Sequence, residues 1–151
     1  MIIVCGESGA GKSSFAKSIL KGKKRSLYIL LDKDQNAIHG LRESSIDLCV
    51  IERCLIIDIK SKLLERGGLL DNQLDYVVID SINQIKDRIP YSEIISCIDR
   101  IGKDLNIKIA VVFNLPKKAD GLRSFASSIE GHKVVYVDPV TGPALGLPQL
   151  L

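Results

Sequence analysis

The segment Gly6-Glu7-Ser8-Gly9-Ala10-Gly11-Lys12-Ser13 satisfies the spacing G-x-x-x-x-G-K-S/T, a set of residue types suited to gripping a chain of phosphates. Glycines at 6, 9 and 11 let the backbone curl so that successive N–H groups turn inward toward phosphate oxygens. Lys12 is in reach of the β- and γ-phosphates, and the Ser13 hydroxyl is suited to ligating magnesium. A helix opening at this point adds the positive end of its dipole beneath the loop. The competing explanation is an accidental glycine-rich turn. Average residue usage gives about a 1% chance of the bare pattern in a chain this long, so Gly6 through Ser14 is the expected binding set for ATP and magnesium.

A second constellation is Tyr76-Val77-Val78-Ile79-Asp80, four apolar residues followed by an aspartate. This is the form of a Walker B strand, whose terminal carboxylate holds magnesium through its water shell. An aspartate at a strand end also serves as a turn or helix cap; the phosphate loop upstream favours the metal reading for Asp80. Asp32 and Asn114 close two further apolar runs, Leu27 to Leu31 and Ile109 to Phe113.

These residues must be positioned by the elements around them. Ile2 to Cys5 reads as a buried strand feeding the loop, and Phe15, Ala16, Ile19 and Leu20 give a helix after Ser13 that breaks at Gly22. Leu27 to Leu31 is the second strand. Ala37, Ile38 and Leu41 hint at one weak helix, and a third strand lies within Leu48 to Ile57. Ile59, Leu63 and Leu64 predict a helix stopping at Gly67 and Gly68. Leu74 to Ile79 is the strand ending at Asp80. After Pro90, the spacing of Ile94, Ile98, Ile101 and Leu105 predicts a helix with one apolar face, packed on a sheet. The strands Ile109 to Phe113 and Val134 to Val137 follow, then a tail with Pro139, Gly142, Pro143, Gly146 and Pro148 that reads as a turn and a short edge segment. Nearly uniform apolar strands alternating with helices imply an α/β domain with a mostly parallel sheet covered on both faces. Ligands of such sheets sit at the carboxyl ends of the strands, where Gly6, Asp32, Asp80 and Asn114 all fall.

The bulk properties narrow the remaining classes. At 151 residues, with 46% hydrophobic and 26% charged, the whole chain 1–151 is expected to be one globular domain. No apolar run approaches the ~18 residues of a membrane span, and Met1 to Val4 is too short for a signal-peptide core. With Cys5, Cys49, Cys54 and Cys97 far apart and no C-x-x-C pair, zinc is not expected and a reducing, cytoplasmic compartment is. His39 and His132 lack ligand-spaced neighbours and read as structural. A net charge of +3 permits a nucleic-acid partner without arguing for one.

Taken together, these motifs resemble the RecA-like family of P-loop ATPases, in particular its compact KaiC- and RadA-like members, over nearly the whole length. The resemblance implies a three-layer fold. Family members follow the P-loop helix with a strand of the type Y-I-D-T-E, whose last carboxylate polarises the attacking water. Tyr28-Ile29-Leu30-Leu31-Asp32 stands in that place, which implies Asp32 as the base, with Asp34 as its competitor. Asp80-Ser81 looks like the D-S ending the family's Walker B strand. Ile109 to Asn114 is similar to the family's sensor strand, so Asn114 would report the γ-phosphate; an asparagine after a strand is also an ordinary turn residue. In recombinases of this family the segment after the sensor contacts single-stranded DNA. Here Leu115 to Gly131 carries Lys117, Lys118, Arg123 and Phe125, a set able to combine phosphate contact with base stacking and equally typical of a solvated loop. The cluster Lys21 to Arg25 reads as a helix C-terminus favoured by its dipole.

The chain also departs from the family. With Gly6 as the sixth residue, the N-terminal oligomerisation segment of recombinases is expected to be absent. A cation finger from a neighbouring copy would have to come from Arg88, Arg100, Arg123 or Lys133. The implied function is an ATPase acting with DNA in recombination or replication. One alternative is a KaiC-like switch that uses ATP to hold one conformation for a protein partner or in a homo-oligomer. Another is a small-molecule kinase: Ser8 to Ser13, Leu31-Asp32-Lys33-Asp34 and His39-Gly40-Leu41 also resemble adenylylsulfate kinases, with a spacing one residue too long and no arginine-bearing lid.

Overall fold

A computed structural model describes residues 1–67, 73–115, 129 and 131–146. The elements run β1 (Ile2–Gly6), α1 (Lys12–Leu20), β2 (Ser26–Leu30), α2 (Gln35–Glu43), β3 (Leu48–Val50), α3 (Ile56–Gly67), β4 (Tyr76–Asp80), α4 (Tyr91–Leu105), β5 (Lys108–Asn114), β6 (Lys133–Asp138) and β7 (Gly142–Leu145). A single 3₁₀ turn, Ile82–Gln84, follows β4. The strands form one sheet in the order β3-β2-β4-β5-β1-β6-β7. All pairings are parallel except β6 with β7, so the tail supplies the turn and short edge segment expected of it, and that edge is antiparallel.

The continuous apolar runs are explained by two cores, one on each face of the sheet. Ile3, Cys5, Leu27, Ile29, Val77, Ile79, Val111 and Phe113 face Ile59 and Leu63 of α3 and Ile94, Ile95 and Ile98 of α4. The alternate residues Val4, Tyr28, Leu30, Val78, Ala110 and Val112 face Ala16 and Leu20 of α1 and Ile38 and Leu41 of α2. Strand alternation therefore divides each run between two helical layers, giving the three-layer arrangement. Burial pushes the Cys5 and Cys54 thiols up to about 12, so both behave as small apolar fillers.

The weak helix around Ala37 forms as α2 because Asp34 caps it: its Oδ1 accepts the N–H groups of Asn36 at 3.0 Å and Ala37 at 3.5 Å. Asp58 and Asp87 serve α3 in the same way, accepting from Leu55 at 2.8 Å and Ile56 at 2.7 Å. His39 is exposed and pairs with Glu43 one turn on, at 3.0 Å. No helix among the described residues is long and apolar enough to cross a membrane.

Candidate active site

The phosphate loop is where the sequence puts it, between β1 and α1. Gly9 and Gly11 adopt φ of +80° and +95°, a left-handed backbone open to glycine at little cost. Gly6 is required for a different reason. A Cβ there would meet the Val137 carbonyl oxygen at 2.6 Å, so β6 packs directly against the start of the loop. Gly11 is the N-cap of α1, yet no side chain among the described residues caps this helix, and its first turn carries no acid. Whereas α2 and α3 satisfy their leading amides with carboxylates, α1 leaves its own directed at the loop, the arrangement that receives an anion.

Lys12 opens α1 and is only 5% exposed. Its Nζ donates to the Glu7 carbonyl across the loop. Burial holds the ammonium below the ordinary lysine range, and the negative charges of Asp80 and Glu7 act against that shift. Ser13, the next residue, donates its hydroxyl to Oδ2 of Asp80 at 2.8 Å. The same oxygen accepts the hydroxyl of Tyr28, a wholly buried residue of β2. Desolvation and the neighbouring Asp80 carboxylate push the Tyr28 phenol well above its usual range, which keeps it a proton donor.

Lys12, Ser13 and Asp80 line a cavity of about 430 Å3 together with Ser8, Gly9, Gly11, Ser14, Asp32, Asp34, Gln84 and Asn114. Asp32, Asp80 and Asn114, from the ends of three different segments, are thus brought to one space with Lys12 and Ser13. Gly6, Glu7 and Ala10 shape the loop without lining that space; Ala10 donates its N–H to the Glu7 carbonyl at 3.2 Å. Asp34 is present as well, with its Oδ1 committed to capping α2. Ser81, also on the cavity wall, is buried, and its Oγ has no hydrogen-bond partner among the described residues.

The sheet order sets the spacing between the loop and the acid. β1 and β4 are not neighbours: β5 lies between them, pairing Cys5 with Phe113 and Asp80 with Val112. Its terminal Asn114 therefore stands between the loop and Asp80. Asn83, from the turn after β4, fixes that end by accepting the Asn114 N–H at 2.8 Å and donating to its carbonyl at 3.0 Å. Ser81 enters the sequence reading only as the second residue of the D-S pair, and Tyr28, Asn83 and Gln84 are given no role by it. Of these three, Tyr28 alone carries a signal, a phenol in an otherwise aliphatic buried strand, where its hydroxyl must find a partner.

Of the expected finger sources, Arg88, Arg100 and Lys133 are exposed and none lines the cavity. Arg123 lies outside the described residues, as do Lys117, Lys118 and Phe125. A larger hollow, about 670 Å3, opens at the amino ends of β1, β4 and β5 beside Lys23, Asp75 and Lys108. It contains none of the candidate binding or catalytic residues, and ligands of parallel sheets gather at the opposite end, so the smaller cavity is the candidate site.

No family model matches the chain, and no curated protein does. Solved structures do. The chain is similar to the ATPase domain of G40P, with a TM-score of 0.65 at 10% identity over 89% of this chain and 68% of that one. It is also similar to the cytoplasmic domain of the Thermomonospora curvata type VII secretion ATPase EccC, with a TM-score of 0.53 at 13% identity, over 95% of this chain and 23% of that one. At such identities the likeness is one of architecture. The chain has the α/β fold, with a mostly parallel seven-stranded sheet, of a RecA-like P-loop NTPase.

Proposed function

We propose that the chain binds ATP with magnesium in this cavity and hydrolyses the bond to the γ-phosphate. The observation that carries the reading is the convergence, on one space, of the uncapped α1 amides, the buried Lys12 ammonium and the contacting pair Ser13 and Asp80. The residues fit the group they are asked to hold: a hydroxyl and a carboxylate are hard oxygen donors of the kind magnesium takes, and Ser81 Oγ awaits a partner on the same wall. Magnesium held by Ser13 and Asp80 would neutralise charge on the β- and γ-phosphate oxygens.

The chain's own groups divide the remaining work. The loop amides and Lys12 bind and orient the triphosphate. Asp32 accepts a hydrogen bond from the attacking water and takes its proton. Asp34 is the weaker choice for that role because its Oδ1 already accepts two amides of α2. The Asn114 side chain contacts the γ-phosphate. Release of phosphate from Mg-ATP by the full chain tests the scheme. Asp32→Asn is expected to retain ATP while slowing turnover by about 10²–10⁴-fold; an unchanged rate would move the base to Asp34.

The finer reading is an ATPase that acts with DNA in recombination or replication. It is supported by the resemblance to the recombinase core and by Lys117, Lys118, Arg123 and Phe125 after the sensor strand. Adding single-stranded DNA should raise both the hydrolysis rate and the molecular mass in solution. If neither changes, the DNA reading falls and the KaiC-like switch acting on a protein partner takes its place. Transfer of phosphate to a small acceptor instead of water would make the chain a kinase.

A further inference from the structure

Tyr28 occupies a site in the core that phenylalanine would fill equally well. Its ring lies in the apolar layer with Val4, Ala16 and Val78, and none of these asks for a hydroxyl. In the β2–β4 register Tyr28 is opposite Val78 and Leu30 is opposite Asp80. Asp80 is therefore the diagonal neighbour of Tyr28 on the same sheet face, a separation that an aromatic side chain spans. The phenol donates to Oδ2 of Asp80, the oxygen that also receives Ser13 from α1. Three elements, β2, β4 and α1, thus meet on one carboxylate oxygen.

Asp80 itself is partly exposed at a strand end, where a free carboxylate samples several rotamers. A wholly buried ring on a central strand cannot follow such motion. We propose that Tyr28 is a positioning residue for metal–nucleotide binding: its hydroxyl locks the Asp80 carboxylate in the orientation that meets Ser13, so that the magnesium ligands are set before the nucleotide arrives. The inference rests on the reading that this cavity takes Mg-ATP. Partners that orient a ligating side chain typically account for about 10–100-fold in metal affinity.

The test uses the full chain and a fluorescent ATP analogue, with binding measured in EDTA and across a magnesium titration, for the unaltered protein and for Tyr28→Phe. Phenylalanine keeps the buried ring and removes only the oxygen. The expected result is an unchanged affinity in EDTA and a magnesium midpoint about tenfold higher. A midpoint equal to that of the unaltered protein overturns the inference. So does an equal loss of affinity in EDTA and in magnesium, because that pattern marks general distortion of the loop. Failure of the unaltered protein to bind the analogue in either medium strikes the parent reading of the cavity, and this inference falls with it.

Discussion

Lys12→Ala is expected to reduce ATP turnover by at least about 10²–10³-fold, the loss that follows removal of one preorganised charge-stabilising group. The cavity composition argues for the upper end. Among the described residues lining it, Lys12 is the one cation, set against the carboxylates of Asp32, Asp34 and Asp80. Without it the space is acidic, and a triphosphate entering it meets repulsion from every charged wall residue. Lys12 is 5% exposed, so its field is little screened by water. The fold should tolerate the change, because burial already disfavours this ammonium and among the described residues its Nζ bonds only to the Glu7 carbonyl of the loop. Steady-state phosphate release, with circular dichroism to verify folding, is the measurement. A folded variant with full activity would remove Lys12 from the site.

Asp80→Ala should fail in two ways at once. Turnover falls because the carboxylate proposed to hold magnesium is gone. Stability falls as well, for a reason unconnected with nucleotide: the Tyr28 hydroxyl, wholly buried, loses its acceptor. A buried donor left without a partner costs about 1–3 kcal/mol, which in a domain of this size lowers Tm by about 2–4 °C for each kcal/mol. Adding Tyr28→Phe to Asp80→Ala removes the stranded donor, and the double variant should melt above the single one. Thermal unfolding in nucleotide-free buffer reads this directly. Equal melting temperatures for Asp80→Ala and the unaltered chain would mean that the phenol finds another partner.

The site was legible in the sequence wherever local backbone rules dictate residue type. Gly9 and Gly11 needed positive φ, and that need is written as glycine at fixed offsets. Asp80 and Asn114 followed from the rule that parallel strands present their carboxyl ends to the ligand, with no knowledge of strand order. What stayed hidden depends on register and long-range pairing. That β5 separates β1 from β4 could not be read from chain order. Asp32 and Asp34 were indistinguishable by type, and only the placement of α2 shows that Asp34 is a helix cap. Gly6 looked like one more flexible residue, whereas its constraint comes from the Val137 carbonyl, over a hundred positions away in the chain. Tyr28 read as part of a buried strand because its partner is on another strand and its diagonal position exists only after pairing.

The bidentate grip of Asn83 on the backbone of Asn114 has a mechanical consequence. It splices the turn after β4 to the end of β5, so the two cannot shift independently without breaking both bonds. The next residue, Leu115, is tied as well, its N–H donating to the Gly6 carbonyl at 3.0 Å, so a displacement at the end of β5 reaches both the turn that begins beside Asp80 and the first residue of the phosphate loop.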